Sequence, residues 1–304
     1  MKKFHSHGKL LLTGEYVVLD GATALALPTK LGQEMIVSET DEAVIDWKST
    51  DHTGETWFEA VYNIADLSSP KAKVPEEEVS KMLFLTLFAA AKQSPELLTS
   101  GKGFRIISNT EFPRDWGLGT SSTLIANIAR WLKIDAFRLL EETFGGSGYD
   151  VAVALEATPI TFEKQGVENS ILRTSYYPPF SDRLFFIHLN QKQNSRESIR
   201  HYREQDNSAV RSATEKISAL THSIITCTDL LEFELLIEVH ENIISQLVGL
   251  PKVKTRLFSD YKGAVKSLGG WGGDFVLATG TEEDMQYFKN KGYHSIFPFS
   301  EIIL

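Results

Sequence analysis

Residues 117–123 are Gly-Leu-Gly-Thr-Ser-Ser-Thr, and this stretch decides the fold that we expect. The two glycines let the backbone bend where a Cβ would clash. The hydroxyl residues stand where a helix predicted from Ser121 to about Lys133 begins. A helix N-terminus presents unpaired N–H groups and a partial positive charge, so the stretch predicts a phosphate cradle. A glycine turn before an ordinary helix cap fits it as well, and it differs from the common P-loop because no Lys follows the second glycine.

Three further stretches carry residue types suited to the same chemistry. Lys9 stands before the apolar run Leu10 to Leu12, where a lysine can point into a cleft and meet a phosphate. Asp150 follows the small-residue loop 145–148, where a carboxylate can be held as rigidly as a general base or metal ligand requires. Four of the five residues 269–273 are glycines, which suggests close approach of backbone to a ligand or loop. Taken singly, Lys9 also fits a solvated lysine, and Asp150 a simple helix cap.

The bulk composition excludes several classes of protein. The chain has 304 residues, 42% hydrophobic and 23% charged, which is ordinary for a folded protein and long enough for two domains. Its formal net charge of −9 argues against nucleic-acid binding, because a phosphate backbone requires a basic surface. Cys227 is the single cysteine, which excludes an intrachain disulfide and a zinc site built on thiolates. No apolar run reaches the length of a membrane span, so we expect a cytoplasmic protein.

The succession of patterns predicts an α+β protein of two domains, residues 1–170 and 171–304. The boundary is placed in the polar segment from Glu163 to Pro179. Helical periodicity in the first domain predicts helices over 79–92, 121–133 and 135–143. In the second domain we expect strands over 183–189, 275–278 and 293–297, and helices over 195–227, 230–248, 254–267 and 282–291.

The order and spacing of these motifs resemble the motif series of the GHMP kinases, which include galactokinase, homoserine kinase, mevalonate kinase and phosphomevalonate kinase. The resemblance spans nearly the whole chain, and its two middle motifs are the most specific. Residues 8–16 look like the Gly-Lys…Gly-Glu-Tyr opening of the mevalonate-pathway members. Residues 146–152 and 266–274 are similar to phosphomevalonate kinases, whereas residues 239–242 and the short chain are closer to mevalonate kinase.

The resemblance implies a fold and a set of site residues. The fold would be the GHMP kinase fold, with an N-terminal domain like ribosomal protein S5 domain 2 that binds ATP, and a ferredoxin-like C-terminal domain. Lys9 and Asp150 would be the catalytic residues, with Asp150 as base or orienting carboxylate. Ser122 would face Mg²⁺, and Glu141 or Glu142 is a candidate metal ligand that fits a solvated helix residue equally well. The ATP-binding residues would be Gly117, Leu118, Gly119, Thr120, Ser121, Ser122, Gly270, Gly272 and Gly273.

The implied function is transfer of a phosphoryl group from ATP to a small mevalonate-pathway metabolite, phosphomevalonate or mevalonate. The alternatives are a kinase of a sugar or homoserine, diphosphomevalonate decarboxylase, or a catalytically silent nucleotide-binding protein. The expected partner is a small-molecule substrate, without nucleic acid or membrane, and a homodimer is left open.

The chain departs from the family pattern in three places. His7 replaces the usual Pro before Gly-Lys, Thr123 stands where Ala is common, and Trp271 occupies a usual glycine position. These departures bear on the substrate more than on the nucleotide site. His188, Arg196 and Arg200 are candidate contacts to an anionic substrate, but a strand residue and two helix-surface charges explain them more simply.

Overall fold

The computed structural model of the chain describes residues 1–69, 71–166, 168–191, 199–200, 202–270 and 273–304. These residues form two compact units that alternate along the chain. The first unit comprises Met1–Gly8, Leu31–Arg114 and Gly119–Leu155, and the second comprises Lys9–Lys30, Asp115–Leu118 and Glu156–Leu304. The predicted domains, 1–170 and 171–304, are each continuous in sequence, whereas the two units alternate along the chain. The units therefore do not test the domain boundary, which stays a prediction.

The first unit is a sheet backed by helices. Its strand order is β4-β3-β5-β2; β3 pairs with β4 and β2 with β5 in antiparallel fashion, whereas β3 and β5 are parallel. Alternate residues of β3, including Ile45 and Trp47, face a core shared with the helices, which is why this strand shows a two-residue period. The elements are β1 (Lys2–Leu11), β2 (Ala24–Thr40), β3 (Val44–Thr50), β4 (Thr56–Asn63), β5 (Gly103–Thr110), α1 (Glu78–Gln93), α2 (Glu96–Thr99), α3 (Thr120–Leu132), α4 (Ala136–Glu141) and α5 (Tyr149–Glu156).

The second unit contains a four-stranded antiparallel sheet of order β11-β8-β10-β9. Every residue of β8, β9 and β10 is buried, as expected for strands covered on both faces. The first residues of β2 pair with β6, which forms a hairpin with β7. The elements are β6 (Ile160–Gln165), β7 (Glu168–Arg173), β8 (Leu184–His188), β9 (Val265–Leu268), β10 (Phe275–Thr279), β11 (Ile296–Pro298), α6 (Asn207–Thr226), α7 (Leu230–Val248), α8 (Val253–Leu257), α9 (Gln286–Asn290) and α10 (Phe299–Ile302).

The second unit joins the early segment Lys9–Lys30 to residues near 304. Thr29 forms an antiparallel bridge with Ile303, and the Leu304 N–H donates to the Pro28 carbonyl at 3.0 Å. The segment that carries Lys9 and the last residues of the chain therefore belong to one folded body. Within the described residues, no helix is both long and apolar enough to cross a membrane.

The helices predicted over 79–92, 121–133 and 230–248 are confirmed to within a residue or two at each end. The prediction of one helix over 254–267 is wrong, because α8 ends at Leu257 and the chain continues as β9. The backbone at Gly263 lies so close to the Thr279 backbone that a Cβ on Gly263 would overlap it. A continuous helix through position 263 could not approach Thr279 this closely. The prediction of one helix over 195–227 is wrong at residues 204–206, where a turn interrupts the helix, and the part after Asp206 is confirmed as α6. Residues 192–198 and 201 lie outside the described residues.

Candidate active site

The loop before α3 has the conformation that its two glycines predict. Gly117 and Gly119 have φ angles of 66° and 95°, in the left-handed region that favours glycine. α3 begins directly afterwards at Thr120, and no side chain caps its N-terminus. Its first-turn amides therefore have no capping side chain as acceptor, which is the arrangement that binds phosphate at helix N-termini. Gly117 and Leu118 belong to the second unit, and the residues from Gly119 onward belong to the first.

The hydroxyl groups at the start of α3 have different surroundings. Ser121 is exposed, whereas Ser122 is buried and its Oγ donates to the Gly119 carbonyl at 2.8 Å. The Ser122 oxygen keeps lone pairs for a metal, so its role as a Mg²⁺ ligand stays a prediction. Thr123 donates to Gln33 Oε1 at 2.6 Å, and Gln33 donates in turn to Ser108 Oγ at 2.8 Å. The hydroxyl at position 123 thus has a structural role, anchoring α3 to the sheet of its unit.

Lys9 is bound to the glycine loop by its main chain and by its side chain. The Lys9 N–H donates to the Leu118 carbonyl at 2.9 Å, and Nζ donates to the Gly117 carbonyl at 3.0 Å. Asp274 packs against the same loop, because a Cβ added to Gly117 would overlap its carboxylate. A Cβ on Gly269 would lie 3.1 Å from Asp274 Oδ2. The second unit therefore brings Lys9, Gly117, Leu118, Gly269 and Asp274 together.

Asp150 lies in the first turn of α5, in the first unit, and its Oδ1 accepts a hydrogen bond from the Val151 N–H at 3.0 Å. Lys9 belongs to the second unit, and the joint catalytic role of these two residues stays a prediction. Glu141 ends α4 with its side chain exposed, while Glu142 accepts from Arg138 Nε at 3.0 Å. Nowhere in the described part of the chain do three or more His, Cys, Asp or Glu side chains cluster as a metal site would require.

The glycine-rich turn after β9 is described only in part. The Gly273 N–H donates to the Gly270 carbonyl at 3.0 Å. Gly272, predicted to help bind ATP, and Trp271 lie outside the described residues. The ATP-binding role of Gly270 and Gly273 stays a prediction.

His188 is a buried residue of β8, with its ring centroid 5.1 Å from that of Phe275 and 5.9 Å from that of Trp116. Burial lowers the pKa of its imidazole, an effect that the nearby Asp115 and Asp274 carboxylates oppose. Of the other two candidate substrate contacts, Arg200 is exposed and Arg196 lies outside the described residues.

Four charged or titratable side chains, Glu15, His240, Glu241 and Lys266, form a cluster in the second unit, which we call the buried charge network. None of the four is more than 1% exposed. Lys266 Nζ pairs with Glu15 Oε1 and lies 3.6 Å from Glu241 Oε1. No local pattern predicts this network, because Glu15 and Lys266 are 251 positions apart. The one available signal is that both lie in motifs shared with the GHMP kinases.

The protonation of the network follows from its hydrogen bonds and its burial. The Gly14 N–H donates to His240 Nε2 at 3.2 Å, so this nitrogen carries no proton and the ring is neutral. Burial and the Lys266 charge lower the pKa of His240, so the 3.3 Å approach of Nε2 to Glu15 Oε2 is not a salt bridge. Burial raises the pKa of Glu241 to about 8, against the opposing effect of Lys266, and also raises the pKa of Glu15. Near neutral pH, the Glu241 carboxyl group therefore carries a proton in the folded protein.

Comparison with known proteins places this geometry in a known fold. No family model and no curated protein sequence matches the chain. The mevalonate kinase of Methanococcus jannaschii aligns over 97% of this chain and 96% of its own, with a TM-score of 0.70 at 14% identity. The phosphomevalonate kinase of Streptococcus pneumoniae, solved with phosphomevalonate and AMPPNP, aligns over 96% of both chains with a TM-score of 0.69 at 16% identity. The chain has the GHMP kinase fold.

The same GHMP kinase fold is found in the galactokinase of Lactococcus lactis, solved with galactose, over 99% of this chain and 92% of that one, with a TM-score of 0.65 at 12% identity. The predicted fold class is therefore confirmed. At these identities the likeness establishes the fold alone, since one fold hosts several chemistries. The assignment of the two halves to S5-like and ferredoxin-like domains stays a prediction.

Proposed function

We propose that this protein is an ATP- and Mg²⁺-dependent kinase that phosphorylates a small metabolite, phosphomevalonate in the first place and mevalonate in the second. The observation that carries the proposal is the contact of Lys9 Nζ with the Gly117 carbonyl at 3.0 Å, directly before an uncapped helix N-terminus. The glycine loop thus accepts a hydrogen bond from a lysine ammonium at Gly117 and leads along the chain into a helix N-terminus that no side chain caps. Both favour an anion, and the GHMP kinase fold supports a phosphate as that anion.

Phosphoryl transfer asks little covalent chemistry of a protein, so positioning and directed positive charge account for most of the rate. In the proposed site the first-turn amides of α3 hold the phosphates, and Lys9 stabilises charge on the transferred group. Ser122 fits a Mg²⁺ ligand, because this ion usually takes one or two protein oxygens and fills its remaining positions with phosphate and water. Bound Mg²⁺ would supply further neutralisation of phosphate charge. Asp150 takes the proton if the acceptor is a hydroxyl group.

The choice of acceptor rests on the motifs rather than on the fold. Proteins of this fold include mevalonate kinase, phosphomevalonate kinase and galactokinase. Residues 146–152 and 266–274 of this chain are closer to the phosphomevalonate kinase motifs, which favours an acceptor that already carries a phosphate. With such an acceptor two anions must meet, so the charge of Lys9 contributes more than a strong base does.

The proposal is tested by measuring ADP release with Mg·ATP and a panel of acceptors: phosphomevalonate, mevalonate, homoserine, galactose and several sugar phosphates. We expect turnover with phosphomevalonate and its loss in Lys9→Met. Lys3→Met is the matched control, since Lys3 lies on the same strand with an exposed side chain.

Each outcome of the panel bears on a different part of the proposal. Turnover with galactose or homoserine alone would support the proposed kinase activity but show that the proposed acceptor is wrong. ADP release from none of the acceptors, with nucleotide still bound, would refute catalysis and favour a binding protein.

A further inference from the structure

The buried charge network is not explained by stability alone. Four polar atoms in and beside it have no hydrogen-bond partner within the described part of the chain: Glu15 Oε2, His240 Nδ1, Glu241 Oε1 and Ser267 Oγ. A buried polar network that is only partly satisfied is generally less stable than an apolar core of the same shape. Four such groups in one place therefore suggest that the network has a role beyond holding the fold.

Two adjacent residues of α7 hold two different segments of backbone. His240 Nε2 accepts from the Gly14 N–H at 3.2 Å, and Glu241 Oε2 accepts from the Ser267 N–H at 3.1 Å. Lys266, next to Ser267, pairs with Glu15, next to Gly14. The turn after β1 and the strand β9 are thus joined directly by an ion pair and indirectly through one helix.

Both joined segments continue to the glycine loop. The segment before Gly14 carries Lys9, whose Nζ donates to the Gly117 carbonyl. The segment after Ser267 carries Asp274, whose carboxylate packs against the Gly117 Cα. A displacement of either segment therefore moves a group in direct contact with Gly117.

The turn that contains Glu15 is strained. Tyr16 has φ 64° and ψ −55°, and the Val17 N–H donates to the Glu15 carbonyl at 2.8 Å. This is the rarer and strained form of the γ-turn. The Tyr16 ring is stacked on that of Tyr202 at 5.6 Å, and Glu15 is held by Lys266. A strained turn persists only where its surroundings fix it, and such turns concentrate at functional sites.

We propose that Glu15, His240, Glu241 and Lys266 are positioning residues that fix Lys9 and Gly117 in the geometry that phosphoryl transfer requires. None of the four touches substrate; they act through the two backbone segments. The inference rests on the proposed kinase function, and its test includes a measurement that does not need catalysis.

The sharpest test uses three variants of one helix. Glu241→Leu removes the acceptor of the Ser267 N–H, whereas Glu241→Gln keeps an acceptor oxygen of the same reach. Glu238→Leu is the matched control, since Glu238 lies on the same helix with its side chain 44% exposed and paired with Lys252 at the surface.

We expect Glu241→Leu to lower kcat by about tenfold to a hundredfold, because misplacement of a reacting group by about 1 Å can have an effect of this size. The KM of the acceptor should stay within about twofold, since the network does not touch the acceptor. Glu241→Gln should restore kcat to within about threefold of wild type, and Glu238→Leu should match wild type. A folded Glu241→Leu with wild-type kcat overturns the proposal, as does an equal loss in Glu238→Leu.

Amide hydrogen exchange provides the second measurement. The peptide spanning residues 112–120 should exchange at least about fivefold faster in Glu241→Leu than in Glu238→Leu, because local opening of the loop becomes easier. This result is expected even if wild type shows no kinase activity, so failure of the proposed function and failure of the network are distinguishable. Equal exchange rates in the two variants would refute the proposed positioning role of the network. If Glu241→Leu does not fold, His240→Leu with His240→Gln provides the same comparison at Gly14.

Discussion

Gly117→Ala is the substitution for which the structure predicts the clearest cost. Gly117 has φ 66°, a backbone conformation that costs an L-residue about 1–2 kcal/mol. The new methyl group would also overlap the Asp274 carboxylate; even the farther oxygen, Oδ1, would be only 2.9 Å away. Forcing extra volume into a packed site costs about 1–3 kcal/mol. The two effects together predict a loss of about 2–5 kcal/mol in the free energy of unfolding.

Gly145→Ala isolates the backbone part of that cost. Gly145 has φ 67°, nearly the same as Gly117, and its added Cβ would meet nothing within 4 Å. We expect this control to lose only about 1–2 kcal/mol. The double variant Gly117→Ala, Asp274→Ala should recover the steric part and leave the backbone part, since the colliding carboxylate is gone.

Urea unfolding followed by tryptophan fluorescence measures all four proteins. The reasoning predicts that Gly117→Ala is less stable than Gly145→Ala, and that the double variant approaches Gly145→Ala. Equal stability of Gly117→Ala and Gly145→Ala would refute the close approach of Asp274 to the glycine loop. A double variant less stable than Gly117→Ala would show that Asp274 stabilises the loop rather than only occupying space beside it.

Three further predictions concern single side chains. Ser122→Ala should raise the KM for Mg·ATP more than that for the acceptor, because the hydroxyl is proposed to face the metal; equal changes in steady-state kinetics would contradict this. Asp150→Ala should lower kcat by about a hundredfold or more if the acceptor is a hydroxyl group, with nucleotide affinity nearly intact by titration calorimetry, and activity within a fewfold of wild type would remove it as the base. Glu241→Gln should gain stability relative to wild type as pH rises from 5 to 8, because the raised pKa of Glu241 makes the folded wild type bind a proton that the unfolded chain releases; parallel curves of melting temperature against pH would refute it.

The local parts of this structure could be predicted from sequence, and the long-range parts could not. A turn followed by a helix start is predicted by the glycines at 117 and 119 and the hydroxyl residues after them. The structure agrees, since α3 begins at Thr120. The error at 254–267 has a cause outside the mispredicted segment. Val265 to Leu268 form a strand because they pair with β10, and no pattern within those four residues predicts that pairing.

The candidate site shows the same division. Lys9 and Gly117 were each identified from their own motifs, but the hydrogen bond between them depends on how residues 108 positions apart meet in space. The residues of the buried charge network are even farther apart in sequence, with 251 positions between Glu15 and Lys266. Burial of Glu15 and Lys266 contradicts the surface location that isolated charged residues usually have, and only the packing of α7 against β9 brings Glu241 to both. The hydroxyl at Thr123, a departure from the family pattern, became understandable once its contact with Gln33 was known.

The contact between residues 28–29 and residues 303–304 has a consequence for how this protein is made. Pro28 and Thr29 emerge from the ribosome long before their partners Leu304 and Ile303. Domains near an N-terminus commonly fold while translation continues. Here the second unit cannot complete its hydrogen bonding until residue 304 has left the exit tunnel. The segment that carries Lys9 therefore cannot be fully folded before that point. A nascent chain arrested before that point should expose the apolar segment 10–12 and depend on a chaperone, whereas the released chain should not.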